Sequence, residues 1–165
     1  MPDALTHFAL SFSLAALFLD LRKAFIMGII SLIPDLDILF QIHRSATHSL
    51  ILLIAFSLPL IAYIAHKKPN LKIPCIAAFL SLIAHPILDA FQAYTPLLYP
   101  LTKDSIEISI NGGFIIGKSL DPYLNITLNY LPTEFTPFNS FDAILFSSTS
   151  IPISLALIIF PLIWK

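Results

Sequence analysis

The sequence predicts an all-α integral membrane helical bundle of four to five spans with a small extramembrane β-hairpin, and three observations carry that expectation. The chain is 57% hydrophobic with a mean hydropathy of +0.86, against about 45–50% apolar residues in ordinary soluble domains. Charged residues make up 12%, about half the usual share of ~25%. The apolar residues also fall in runs of the length a bilayer requires, about 20 residues per helix.

Five stretches meet that description: about 4–20, 24–40, 49–65, 72–91 and 141–164. The third and fifth carry almost no charge. The first two are near the lower length limit for a span and are separated only by "DLRK" at 20–23, so a tilted or re-entrant pair is the alternative for them. Prolines at 59, 74, 86, 152 and 161 are compatible with spanning helices, because neighbouring helices can satisfy the backbone groups that proline frees. The 165 residues are filled by one domain of this kind. Cys75, the single cysteine, lies in an apolar run and reads as a packing residue. A net charge of −1 offers nothing to nucleic acid. "MPDALTHF" lacks the basic first region of a cleavable signal peptide.

Basic residues orient the helices. With the N-terminus outside, Arg22, Lys23, Lys67, Lys68, Lys72 and Lys165 are cytoplasmic, whereas Arg44, Lys103 and Lys118 are outside, as the positive-inside bias favours. The segment about 92–140 is then an outer loop. Within it, "SIEISINGGFIIGKSL" alternates apolar and polar residues on both sides of "NGG", a hairpin signal because such a turn needs residues tolerant of positive φ. Asp104, Glu107 and Glu134 read as solvated loop charges, Asp121 as a turn residue before Pro122 or a further member of the site, and Asp20 as a cytoplasmic helix-end residue.

On this topology His7, Asp35, Asp37, His43, His48, His85 and Asp89 converge on one membrane face. Ionisable residues near spanning segments are costly and suggest function. His85 and Asp89 are four apart and share a helix face. Asp35 and Asp37 would diverge on a regular helix, so Pro34 is expected to mark a break, and Thr47 or Ser45 to cap the next helix with His48 in its first turn. Taken singly, each has a plainer reading: His7 as an interfacial cap, His85 as a buried histidine bonding a carbonyl, Arg44 as an interfacial anchor. Those readings predict no common side. Together, imidazoles and carboxylates suit Zn, with Mn or Fe as alternatives. A set this large can hold one or two ions, and two would suit phosphate-ester hydrolysis. Asp37 is the candidate general base, and Arg44 the candidate clamp for the substrate phosphate. No nucleophile elbow or phosphate-binding glycine loop is present in the sequence.

The blocks "THFALS", "IPDLD", "HRSATHSL" and "HPILDA", in that order over residues 6–90, resemble the signature of the membrane-bound metal-dependent hydrolase family, which includes the LexA-regulated inner-membrane hydrolase-like proteins of bacteria. That resemblance implies a small helical membrane protein with a divalent-metal site and hydrolase activity akin to zinc-dependent phospholipases. Carried over by motif, His7, Asp35, Asp37, His43, His48, His85 and Asp89 would be metal ligands or their immediate supports. The family often has a glycine soon after its first histidine, where this chain reads "THFALSFSL".

The expected function is hydrolysis of a phosphoester or ester of a membrane lipid, in a multi-pass protein of the cell membrane with its site on the extracytoplasmic face. Two other readings use the same residues. A metal or proton transporter would need polar residues continuing down the helices, where the spans offer mostly Ser and Thr. A non-catalytic scaffold would use the metal only to staple helices together.

Overall fold

The computed structural model describes residues 3–42, 44–117, 120–139 and 145–164. Asp3 opens α1 (Ala4–Ala16) by accepting a hydrogen bond from the Thr6 amide at 3.0 Å, which satisfies one of the unpaired donors of a helix N-terminus. Asp20 does the same for α2 (Leu21–Ile30) through the Lys23 amide. "DLRK" is therefore the cap and first turn of α2, and α1 stops at Ala16.

α1 is the central helix. His7, Ala9, Ser11, Phe12, Ser13, Ala15 and Ala16 are all buried on it, and these mostly small side chains let neighbours approach closely. Phe12, Ala15, Ala16, Leu19, Ala24 and Met27 form the core between α1 and α2, backed by Ala77, Ala78 and Ile158. Gly28 marks the tightest approach: a Cβ there would lie 2.6 Å from the Phe8 ring.

The expected second helix at 24–40 is two pieces. α2 ends at Ile30, and residues Ile33–Phe40 form a 3-10 helix with Pro34 in its first turn and Gln41 closing it at φ 60°. Proline lacks an amide donor and disfavours α geometry in the residue before it, so the α-helix cannot run through. A second, short 3-10 turn, Ala46–His48, precedes α3 (Leu50–Lys67). The side chain of Ser49, rather than Ser45 or Thr47, caps α3, and His48 lies before the helix instead of in its first turn. A 3-10 turn at Pro69–Leu71 then leads into α4 (Lys72–Ala90).

A bundle of four to five spans is not what this chain forms. Among the described residues two helices are long and apolar enough to cross a membrane, Leu50–Lys67 and Pro69–Ala90. Eighteen residues of α-helix rise about 27 Å, close to the ~30 Å hydrocarbon thickness, and no residue of α3 is buried. α1 has 13 residues, α2 has 10 and α5 (Ser150–Trp164) has 15. At about 1.5 Å per residue all three fall short. The capping aspartate at 20, the break at Pro34 and the late start of α5 shorten segments that hydropathy alone runs together.

β1 (Asp104–Ile116) and β2 (Leu120–Pro132) form an antiparallel two-stranded sheet. "NGG" is not its turn: Asn111 pairs with Asn125, Gly112 with Leu124 and Gly113 with Tyr123, in mid-strand. No described glycine has positive φ. Gly113 instead makes room for Tyr123, whose ring a Cβ would meet at 3.0 Å. Asp121, expected in a turn, pairs with Ile115 inside the ladder. Thr95 and Ile106 exchange backbone hydrogen bonds of 3.0 and 2.8 Å, fastening the hairpin base to the segment after α4.

Candidate metal centre

The break after Ile30 sets the geometry of the site. In a 3-10 helix residues two apart diverge by about 120°, against about 160° on an α-helix, so Asp35 and Asp37 can both face the same neighbourhood. Asp35 Oδ1 lies 3.2 Å from His85 Nε2 and 3.4 Å from His48 Nε2. Asp89 Oδ2 lies 3.4 Å from His48 Nε2 and 3.8 Å from His85 Nε2. His85 and Asp89 come from successive turns of α4, His48 from the 3-10 turn before α3, and Asp35 from the 3-10 helix after α2. One ligand atom from each of the four lies within 4.8 Å of every other.

These separations test whether a metal fits. The Asp35–His85 contact is within hydrogen-bond range, and all four are longer than the about 2.7–2.9 Å usual for charge-assisted hydrogen bonds. The edge of a tetrahedron with metal–ligand bonds near 2.0–2.1 Å is roughly 3.3–3.4 Å; the contacts at 3.2, 3.4 and 3.4 Å come close to it, and the His85–Asp89 contact at 3.8 Å is longer. Two neutral-capable imidazoles and two carboxylates are also a donor set that suits several divalent metal ions. The four residues fit a divalent ion.

The surrounding groups hold that set in place. His7 Nε2 is 3.1 Å from Asp89 Oδ1, and the His7 ring stacks on His85 at 3.8 Å between centroids. Asp37 is buried; its Oδ2 accepts from the Ser45 amide at 2.8 Å, lies 3.0 Å from Thr47 Oγ1 and is 3.3 Å from His48 Nδ1. Asp37 thus touches the His48 nitrogen that points away from Asp35 and Asp89. Arg44 Nε is 3.6 Å from Asp89 Oδ2, with the side chain mostly buried and its backbone at φ 54°, a left-handed conformation uncommon outside glycine.

Charge distribution follows from the same contacts. Burial by itself would depress the His48 imidazolium, but hydrogen bonding to Asp35, Asp37 and Asp89 outweighs it and raises the group to about 10. For Asp35, burial would raise the carboxyl, yet His48 and His85 hold it below the usual range. Burial lowers His7, more than its bond to Asp89 raises it, so it is neutral near pH 7. Three carboxylates around one imidazole make a site that attracts a cation.

Of the seven sequence-derived candidates, six are brought together: Asp35, His48, His85 and Asp89 as the converging set, with His7 and Asp37 against them. His43 lies outside the described residues. Sequence reasoning passed over Ser45 and Thr47 as anything but caps, although their place in "HRSATHS", beside a predicted ligand, was the signal. It also gave no role to Ser31, whose hydroxyl donates to Gly28 O at 2.7 Å and lies 3.1 Å from His7 O, seating α1 on α2 next to the site.

The family described as YdjM inner membrane protein matches residues 1–164. No curated protein and no solved structure matches the chain.

Proposed function

The chain belongs to the YdjM inner membrane protein family, and from that premise we propose that it is a membrane-bound, metal-dependent hydrolase of a phosphoester or ester, with a lipid as substrate. It is a membrane protein, and a His/Asp group within it can hold a metal ion. The observation that carries the reading is the convergence of Asp35, His48, His85 and Asp89 at metal-ligand separations with Arg44 beside them. A divalent ion there, zinc on the donor chemistry, supplies Lewis acidity and makes water acidic enough to ionise near neutral pH.

The protein's own groups divide the remaining work. Asp37 fixes the ring of His48 through Nδ1, as carboxylates behind metal-binding histidines do; we assign it to positioning in place of the general-base role. His7 fixes Asp89 through the oxygen that does not face the cluster. Asp35 is the solvent-reaching carboxylate of the set, its side chain 24% exposed where His48, His85 and Asp89 are 0–3%, so water and substrate would reach the ion from its side. Arg44 presents guanidinium donors for a phosphoryl oxygen.

An apolar groove of about 410 Å³ runs from Pro34 and Thr47 along Leu53, Phe56 and Leu60. It begins at residues adjacent to Asp35 and His48 and supports a substrate with an acyl chain. We place the site on the extracytoplasmic side, following the basic residues.

The test is elemental analysis of detergent-purified protein, followed by a screen of phosphoester and carboxyl-ester substrates. Stoichiometric metal and metal-dependent turnover are expected. A protein that stays metal-free after supplementation with zinc, manganese and iron refutes the reading.

A further inference from the structure

We propose that the substrate is a phosphoester carrying an ammonium group, and that Glu134 and Tyr94 select for it. The inference rests on the hydrolase reading and concerns the end of the substrate away from the reacting bond. A cavity of about 500 Å³ is lined among others by Arg44, Tyr94, Ser105, Thr133 and Glu134, and Arg44 links it to the cluster through Asp89. That volume is in the range of small-molecule sites, roughly 300–1,000 Å³.

Its walls are cross-braced. Ser105 and Thr133 hydroxyls are 2.9 Å apart, the Thr133 amide donates to Lys103 O at 2.8 Å, and the Thr95–Ile106 bridge fixes the segment that carries Tyr94. Arg44 forms the wall next to the metal centre. Its Nε stands 3.6 Å from Asp89 Oδ2, and its Nη2 is buried with no hydrogen-bond partner among the described residues. A buried guanidinium nitrogen without an acceptor is costly unless a ligand supplies one, and a phosphoryl oxygen is such an acceptor.

Glu134 is the other charged residue among the described lining residues, and it is exposed. The cavity therefore offers a cationic wall at the metal centre, a carboxylate elsewhere on its surface, and an aromatic ring. A phosphate ester with an aminoalkyl group satisfies all three: the phosphate meets Arg44, and the ammonium meets the carboxylate and the electron-rich ring face. A polyol phosphate leaves the carboxylate without a counter-charge. The hairpin base and the residues just beyond it thus act as the specificity wall for a site whose metal ligands all come from the helical part.

The test uses the full chain, zinc-loaded, in detergent, with phosphoethanolamine, glycerol 1-phosphate and inorganic phosphate as calorimetric probes. Wild type should bind phosphoethanolamine about three- to tenfold more tightly than glycerol 1-phosphate, the size of a partly solvated ion pair with a cation–π contribution. Glu134→Gln should erase that preference while leaving zinc content and inorganic phosphate affinity unchanged, and Glu134→Asp should retain part of it. Competition by nanodiscs of phosphatidylethanolamine, but not phosphatidylglycerol, identifies a lipid headgroup as the source; competition by the soluble phosphoester alone identifies a free metabolite. Equal affinities in wild type, no binding of either ester, or a preference that survives Glu134→Gln overturns the proposal. Preference without turnover of any ester sinks the hydrolase reading alone, and turnover without preference sinks this one alone.

Discussion

At the scale of single residues, the site separates groups that would hold the ion from groups that hold its ligands. His48→Ala and Asp35→Ala should each abolish stoichiometric metal, because both remove a member of the converging set. Asp37→Asn should behave differently: Asp37 meets His48 at the nitrogen far from Asp35 and Asp89, so metal should still bind, about 10–100-fold more weakly. Competition with a calibrated chelator distinguishes the two, and equal loss in all three variants would make Asp37 a ligand. The raised His48 group sets a pH dependence. A group whose folded pKa is raised stabilises fully below its unfolded value of about 6.5 and loses that contribution as pH climbs through about 10. Thermal unfolding of chelator-treated protein should therefore fall across that window. Zinc affinity should rise over the same window, since the ion must displace the proton. A melting temperature flat from about pH 7 to about pH 10 would contradict the assignment.

At the scale of elements, the breaks in the helices matter more than their lengths. Pro34 ends α-helical geometry just where two aspartates must turn the same way, and "IPDLD" announced this by proline and spacing. Gly28 shows a constraint that spacing does not announce. Gly28→Ala should cost about 1–3 kcal/mol through overpacking against Phe8, despite alanine's better helix propensity. Because Phe8 adjoins His7, the substitution should also weaken metal binding, and Phe8→Ala should restore part of both. Denaturant titration of the single and double variants measures that coupling, and additive effects would refute it. The hairpin illustrates the opposite error. "NGG" has turn chemistry, but residues on either side of it continue the ladder to Gly112–Leu124 and beyond, and cross-strand pairing overrides local turn preference.

At the scale of the whole molecule, the His/Asp cluster that could hold a metal sits where the 3-10 segment meets the ends of the two long helices, and the hairpin base stands near it. With one crossing between them, Lys68 and Thr133 should lie on opposite sides of the membrane. In a Cys75→Ser background, Lys68→Cys should react with an impermeant thiol reagent only from the cytoplasmic side, and Thr133→Cys only from the other; labelling from the same side would rule out the crossing. Membrane character was legible in the sequence because hydropathy is a sum over residues that needs no partner. That several of these His and Asp side chains would lie together was also legible, because His85 and Asp89 share a helix face and "PDLD" and "THS" lie at helix ends by local rules. The number of long helices was not, since side-chain caps and a proline divide runs that composition joins. Nor was the division between ligands and supports, which depends on ångström-scale separations among four segments. Residues 35, 48 and the pair 85 and 89 come from three separate segments of the chain, and only the tertiary packing decides which of their atoms face one another. The sequence alone determined which side chains could bind a cation in a membrane protein; the tertiary structure decided which of them meet, because convergence depends on the packing and the chemistry depends on the residue types.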